Sequence, residues 1–298
     1  MLELLVRLWS RRPGGPGYVG SGRAVAYSGR IGVRLEAVTV SVDYGDLLAA
    51  TLRHNCPLFD RMVVVSTPAD EETQEVCHRH DVRCVLTDEV WMEHGFAKGV
   101  GINRGLAALK LDGWVLHLDA DVVLPPHSRE VFEQVGLDES WIYGFDRHMV
   151  VGAREWARHL ERALRRDPRW AWAVLADAHP VGSRVARRRD GGWVPIGFAQ
   201  LWNPRGSKIY RYVERRSPSN PNTDVAFARQ WPRRRRGLIP EIFACHLSAE
   251  APRYGANWNG RTTARFKEQS AHIGFDELRA AAARTLPYGQ DDAYPYYY

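Results

Sequence analysis

Two carboxylates one residue apart close an apolar run in "GWVLHLDADVVLPP", residues 113–126. Asp119 and Asp121 follow Trp114–Leu118, and apolar residues resume at Val122 before Pro125 and Pro126. Two acids at the end of a buried strand are costly unless they bind something. Carboxylates at i and i+2 reach one hard cation, Mg²⁺ or Mn²⁺, if the strand ends in a turn. A nucleotide diphosphate shares its charge with such a cation, which then acts as a Lewis acid on the leaving phosphate. An Asp-x-Asp triplet is also common in loops and caps, so its neighbours decide the reading.

The elements upstream suit such a site. "LEAVTVSV", "RMVVVS", "VRCVLT" and "GWVLHLD" read as four strands. "GDLLAATLRHN" and the acid-led "PADEETQEVCHRH" read as helices, and "KGVGINRGLAALK" is helical in its later part. Strands alternating with helices predict an α/β domain with a Rossmann-like, mostly parallel sheet and flanking helices. Ligands of such sheets bind at the carboxyl ends of the strands. Asp43, Thr67, Asp70, Thr87, Asp88 and the Asp119–Asp121 pair all fall there, although a turn or helix cap explains Asp70 and Asp88 equally well.

Beyond residue 127 the alternation weakens. Residues 154–178 read as helix, 191–204 as a strand and turn, 223–231 as a short helix and 237–248 as a strand reaching His246. The expected organisation is an irregular extension over 1–35, a first half over 36–126, a second half of the same domain over 127–285 and a disordered tail over 286–298.

The block "FAKGVGINRGLAALKLDGWVLHLDADVVLPP", residues 96–126, resembles the donor site of GT-A fold glycosyltransferases, and is most similar to their family 2-like group. "AVTVSVDYGD" and "RMVVVSTPADEET" resemble the first two nucleotide-binding strands of that group. "GFAQLWN", "NTDVAFARQW" and "CHLSAE…NWNGR" resemble its acceptor strand, catalytic helix and closing metal histidine. The resemblance implies a divalent metal and a nucleotide-sugar donor, a UDP-sugar foremost. It implies Asp119, Asp121 and His246 as the metal set, Asp121 and His246 as ligands and Asp119 on the ribose or a metal-bound water. It places Asp43, Tyr44 and Asp70 by the nucleotide, Lys98 and Asn103 near phosphates or ribose, and Gln200 and Trp202 on the acceptor. Asp224 takes the place of the general base of inverting members, where the family motif reads Glu-Asp and this chain reads Thr-Asp. Several of these residues have plainer readings: His246 as a core histidine, Asp224 as a helix cap, Lys98 as a solvated cation, Gln200 and Trp202 as core and turn.

Composition narrows the partners. With 41 Lys and Arg against 35 Asp and Glu, the formal net charge is +6, concentrated in arginine runs at 162–169, 184–189 and 233–236. Such runs form solvated faces or meet anions, among them DNA, lipid phosphate or an anionic glycan. A hydroxylated-base DNA acceptor and a non-catalytic nucleic-acid-binding protein both fit that charge. No helix-turn-helix, zinc-finger or RRM-type signature is present. A nucleotidyltransferase calls for a basic Gly-rich loop after the first strand, where this chain reads "SVDYGD". Four dispersed cysteines without a CxxC pair predict reduced thiols in a cytoplasmic protein. No apolar window approaches a membrane span. The start, "MLELLVRLW", suits a capping helix, a frayed end or an amphipathic helix on a membrane surface.

Overall fold

A computed structural model describes residues 33–92, 95–165, 194–214, 223–249, 261 and 263–266. The expected extension over 1–32, the continuation of the long helix past 165, the arginines at 184–189 and the tail all lie outside the described residues.

The first strands carry apolar side chains on both faces because both faces are covered. In β1 (Leu35–Val40), Leu35 and Ala37 enter one core and Val38 and Val40 the other. In β2 (Arg61–Ser66), Val64 faces the first core, and Val63 and Val65 the second. Each of these buried leucines and valines contributes roughly 1.5–3 kcal/mol by leaving water. α1 (Gly45–Asn55) and α2 (Glu71–Arg79) cross between β1, β2 and β3 (Arg83–Leu86). Trp91–Met92 and Gly95–Phe96 pair as a small separate hairpin, β4–β5. α3 (Lys98–Leu106) then leads to β6 (Trp114–Leu118). α3 lies so close to the sheet that a Cβ on Gly105 would come 2.3 Å from Val38 Cγ2.

The second half of the chain adds β7 (Val122–Val123), α4 (Ser128–Gln134), β8 (Ile142–Val151) and α5 (Ala153–Arg165). It continues with β9 (Ala199–Trp202), α6 (Pro204–Ser207), α7 (Thr223–Ala228) and β10 (Arg236–Ser248). The eight-stranded sheet has the order β3-β2-β1-β6-β9-β8-β10-β7. β3, β2, β1 and β6 are mutually parallel; β9 runs antiparallel to both β6 and β8, and β8 pairs parallel with β10. The α/β class is therefore observed, with a parallel first half and a mixed second half.

Two features escape the periodicity reading. The ten-residue β8 was not expected, because its Gly144, Asp146, Arg147 and His148 interrupt any simple apolar alternation. β10 carries Pro240, which has no N–H for the ladder, and its register against β8 shifts between Leu238 and Phe243.

Chain direction through the sheet defines where a ligand belongs. From β1 the chain builds outward through β2 to β3, then returns to place β6 on the other side of β1. Crevices form at the carboxyl ends of the strands at such a reversal. Ser41–Tyr44 after β1 and Asp119–Asp121 after β6 meet there.

Candidate active site

The Asp119–Asp121 turn is held by its backbone, leaving its carboxylates free for other work. Val122 N–H donates to Asp119 O (3.2 Å) and Asp119 N–H to Phe198 O (2.9 Å). From α1, Thr51 Oγ1 donates to Ala120 O (2.6 Å), and Asn55 pairs its amide with Val122 O (2.7 Å) and Leu124 N–H (3.0 Å). The short β7 pairs with β10, and Leu247 N–H donates to Asp121 O (2.7 Å). That ladder carries His246 to the turn across more than 120 residues of sequence.

Asp121 Oδ2 lies 3.0 Å from His246 Nε2, and both side chains are buried. Among the described residues, Asp121 Oδ1 and His246 Nδ1 have no hydrogen-bond partner, an expensive state for buried polar atoms. Burial pushes the Asp121 carboxyl up, but His246 and Arg147 outweigh it and hold the group below the usual carboxylate range. Burial lowers His246, and Arg147 adds to this; Asp121 opposes both. Arg147, on β8, lies with its guanidinium 4.7 Å from the centre of the Phe198 ring, which stacks on His246. The Tyr44 hydroxyl is raised by burial and then by the charge of Asp121, which places the end of β1 against the same turn.

Asp119 faces differently. Its Oδ1 receives Lys98 Nζ, which also donates to Gly197 O (3.1 Å), and His117 Nε2 lies 3.5 Å from the same oxygen. Burial is the largest influence on Asp119 and pushes it up; Lys98 opposes this and Asp121 adds to it. Across Lys98 sits Asp224, whose Oδ2 accepts from Gly197 N–H (2.6 Å) and whose Oδ1 accepts from Val225 N–H (2.8 Å). Burial raises Asp224, against the pull of the Gly197 hydrogen bond and Lys98, and so makes it a stronger base than a solvated aspartate.

The donor set suits a hard or borderline divalent cation: one carboxylate oxygen and one imidazole nitrogen at contact distance, each side chain with a buried atom lacking a partner. Among the described residues no group of three or more His, Cys, Asp or Glu converges. A two-ligand site completed by substrate phosphates and water is the usual way Mg²⁺ is held with a nucleotide.

Other expected residues land elsewhere. Asp70 caps α2, accepting from Thr73 N–H (3.1 Å), Ser66 Oγ (3.0 Å) and Asp43 N–H (2.8 Å). It thus supports Asp43, whose φ of +59° turns the chain sharply after β1. Burial and then Asp70 raise the Asp43 carboxyl, while Arg261 opposes them. Asn103 clamps residues 212–214, pairing with Tyr212 N–H (2.7 Å) and Tyr212 O (3.0 Å) and donating to Glu214 (2.7 Å). Gln200 and Trp202 were expected to meet an acceptor, but both are 0% exposed. β9 runs through the middle of the sheet, between β6 and β8, and is covered on both faces. Gln200 instead links Tyr212 Oη (2.7 Å), Pro195 O (2.8 Å) and Asp224 O (3.0 Å), and so holds the helix that bears Asp224.

Arg261 is the residue that sequence reasoning passed over. It pairs in two places with Asp46 (2.5 and 2.8 Å) and donates to Asp43 O (2.9 Å), Thr263 O (3.0 Å) and Ala264 O (2.7 Å). Its guanidinium also lies 5.1 Å from the Tyr44 ring centre. Asp46 is fully buried, and burial alone would raise it; Arg261 and the Phe266 N–H more than offset that and hold it below the usual range. Arg261→Ala is therefore expected to destabilise the protein by about 3–5 kcal/mol, since it strands a buried carboxylate. Because the folded Asp46 is depressed, its stabilisation is complete above about pH 4 and fades as pH falls through its folded pKa. The gap between the urea midpoints of wild type and variant, measured from pH 7 down to pH 3, should narrow towards the acid end.

No family model matches the chain, and no curated protein matches it by sequence. Solved structures do show likenesses. Glucosyl-3-phosphoglycerate synthase from Mycobacterium tuberculosis, solved with Mn²⁺, UDP-glucose and phosphoglyceric acid, is 14% identical, over 74% of this chain and 73% of that one, with a TM-score of 0.41. Its complex with Mn²⁺ and UDP-glucose gives 12% identity over 85% and 77%, with a TM-score of 0.39. A nucleotidyl transferase from Methanothermobacter thermautotroptrophicus is 19% identical over 39% of this chain and 63% of that one, with a TM-score of 0.30. At these scores the chemistry is left to the site's own geometry.

Proposed function

We propose that the chain is a metal-dependent glycosyltransferase of GT-A type, moving a sugar from a UDP-sugar to an acceptor hydroxyl. One observation carries the proposal: the buried Asp121–His246 contact, with an unsatisfied atom on each side chain, at the strand ends where the chain reverses. Residues 36–126 would form the donor half and residues after 127 the acceptor half.

In this reading Asp121 and His246 hold Mn²⁺ or Mg²⁺, which when bound supplies Lewis-acid stabilisation to the diphosphate leaving group. Asp119 meets the ribose or a metal-bound water, and the Tyr44 side of the β1 turn flanks the nucleotide. The Lys98 ammonium adds positive charge where the diphosphate develops negative charge. Asp224 accepts the proton of the acceptor hydroxyl as its oxygen bonds to the anomeric carbon and the carbon–oxygen bond to the diphosphate breaks. Attack opposite the leaving group inverts the anomeric centre.

Asp224 depends on Gly197. A Cβ at residue 197 would lie 2.6 Å from Asp224 Cβ and 2.8 Å from its Oδ2. Gly197→Ala should displace the carboxylate and lower kcat on the order of 10²-fold, with the donor KM little changed. Steady-state kinetics in both substrates check this.

The acceptor is proposed to be anionic, a hydroxylated-base DNA among the candidates. Arg147 beside the site supports this. DNA binding that weakens steeply with salt is expected if the acceptor is DNA. Binding of DNA with no nucleotide-sugar turnover would favour the non-catalytic reading instead. Among the described residues no helix is long and apolar enough to cross a membrane.

A thermal-shift panel of nucleotide sugars with and without Mn²⁺ tests the donor reading. At ligand concentrations about 100-fold above Kd, binding adds roughly 2.7 kcal/mol to apparent stability. A rise with UDP-sugars that needs Mn²⁺ is expected; no shift with any nucleotide sugar would overturn the reading.

A further inference from the structure

His117 has a role that neither packing nor the chemistry above has used. It is 0% exposed in β6, and neither ring nitrogen has a hydrogen-bond partner among the described residues. Burial, with the charge of Lys98, holds the ring neutral well below its usual range. A neutral imidazole still carries one N–H, and leaving its polar atoms buried and unmatched costs stability that a leucine would not. Strand periodicity puts residues 117 and 119 on one face. There His117 Nε2 lies 3.5 Å from Asp119 Oδ1, and the ring meets Tyr212 edge-on with centroids 5.5 Å apart.

We infer that His117 is a positioning residue that keeps Asp119 Oδ1 turned inward, so that Oδ2 is presented to the nucleotide; this rests on the donor-site reading above. Lys98 donates to one oxygen of a partly exposed carboxylate, and His117 Nε2 stands 3.5 Å from the same oxygen without bonding to it. No hydrogen bond is made to Oδ2 by the described residues. A bound diphosphate competes for the Lys98 ammonium. In the tautomer protonated at Nε2, His117 is then the group left to donate to Oδ1, and the 3.5 Å separation shortens as Lys98 leaves. Catalytic-site hydrogen bonds that are long without ligand commonly tighten in the complex. The unsatisfied imidazole is thus a cost in stability kept for function.

The test is calorimetric titration of UDP in the presence of Mn²⁺, with Tm measured alongside, on wild type, His117→Leu and His117→Gln. A glutamine amide nitrogen reaches near the position of Nε2. The expected result is roughly tenfold weaker UDP binding in His117→Leu, with a Tm equal to wild type or a few degrees higher, and His117→Gln within about threefold of wild type. Wild-type affinity in His117→Leu would overturn the assignment. So would equal loss in both variants with a lowered Tm, which marks a packing role. If the wild type itself fails to bind UDP with Mn²⁺, the donor-site reading falls and this assignment falls with it. Variants that match a wild type that does bind overturn the assignment alone.

Discussion

Asp121→Ala is expected to abolish metal-dependent transfer while leaving the fold intact. In the proposed site Asp121 would give the cation an oxygen; it is the partner of His246 at 3.0 Å. A metal in such a site is worth several kcal/mol of transition-state stabilisation, and about 4 kcal/mol is close to a 10³-fold loss in rate. The fold should survive because the turn is secured through its backbone by Thr51, Asn55 and Leu247, none of which touches the carboxylate. His246→Ala should lose metal affinity likewise, and titration with Mn²⁺ by electron paramagnetic resonance reads both. Full activity in Asp121→Ala at saturating donor would remove this residue from the mechanism.

Asp224→Asn is expected to lower kcat by roughly 10²–10⁴-fold, the contribution of a positioned general base. Donor affinity should hardly move, since Asp224 lies across Lys98 from the Asp121–His246 pair. Asparagine is nearly isosteric, and its carbonyl oxygen still accepts the Gly197 or Val225 N–H. A helix cap alone would therefore tolerate the change with little loss. The pH profile separates the readings further. In wild type, kcat should fall on the acid side as Asp224, raised by burial, takes up its proton. That acid limb should vanish from the residual activity of Asp224→Asn. An unchanged kcat would leave Asp224 as a cap.

The parallel half of the sheet was legible because local sequence dictates it. β1, β2 and β6 are short apolar runs bounded by polar turns, and α2 begins on an Asp70 cap followed by acids. The Asp119–Asp121 pair was legible for the same reason. Contacts set by tertiary approach were not. β8 mixes charge and glycine among its apolar residues, so Arg147 had no strand to stand on. Gln200 and Trp202 stayed open between an acceptor contact and a core position because nothing local says that β9 threads between β6 and β8. Asn103 lies in a block resembling a donor site, yet it is committed to the Tyr212 backbone, 109 residues away. Arg261 and Asp46 are 215 residues apart, and neither residue type announces the other. His117 carried a local signal, a histidine two residues before Asp119 in a buried strand. Its meaning needed the absence, among the described residues, of any hydrogen-bond partner for its ring.

The most direct measurement of the central claim is UDP release from a panel of UDP-sugars, followed with Mn²⁺ and again with the metal chelated, by wild type and Asp121→Ala. The account predicts release by wild type from at least one donor that requires Mn²⁺, and none above background from Asp121→Ala. Release that persists without metal, or survives loss of Asp121, would contradict it.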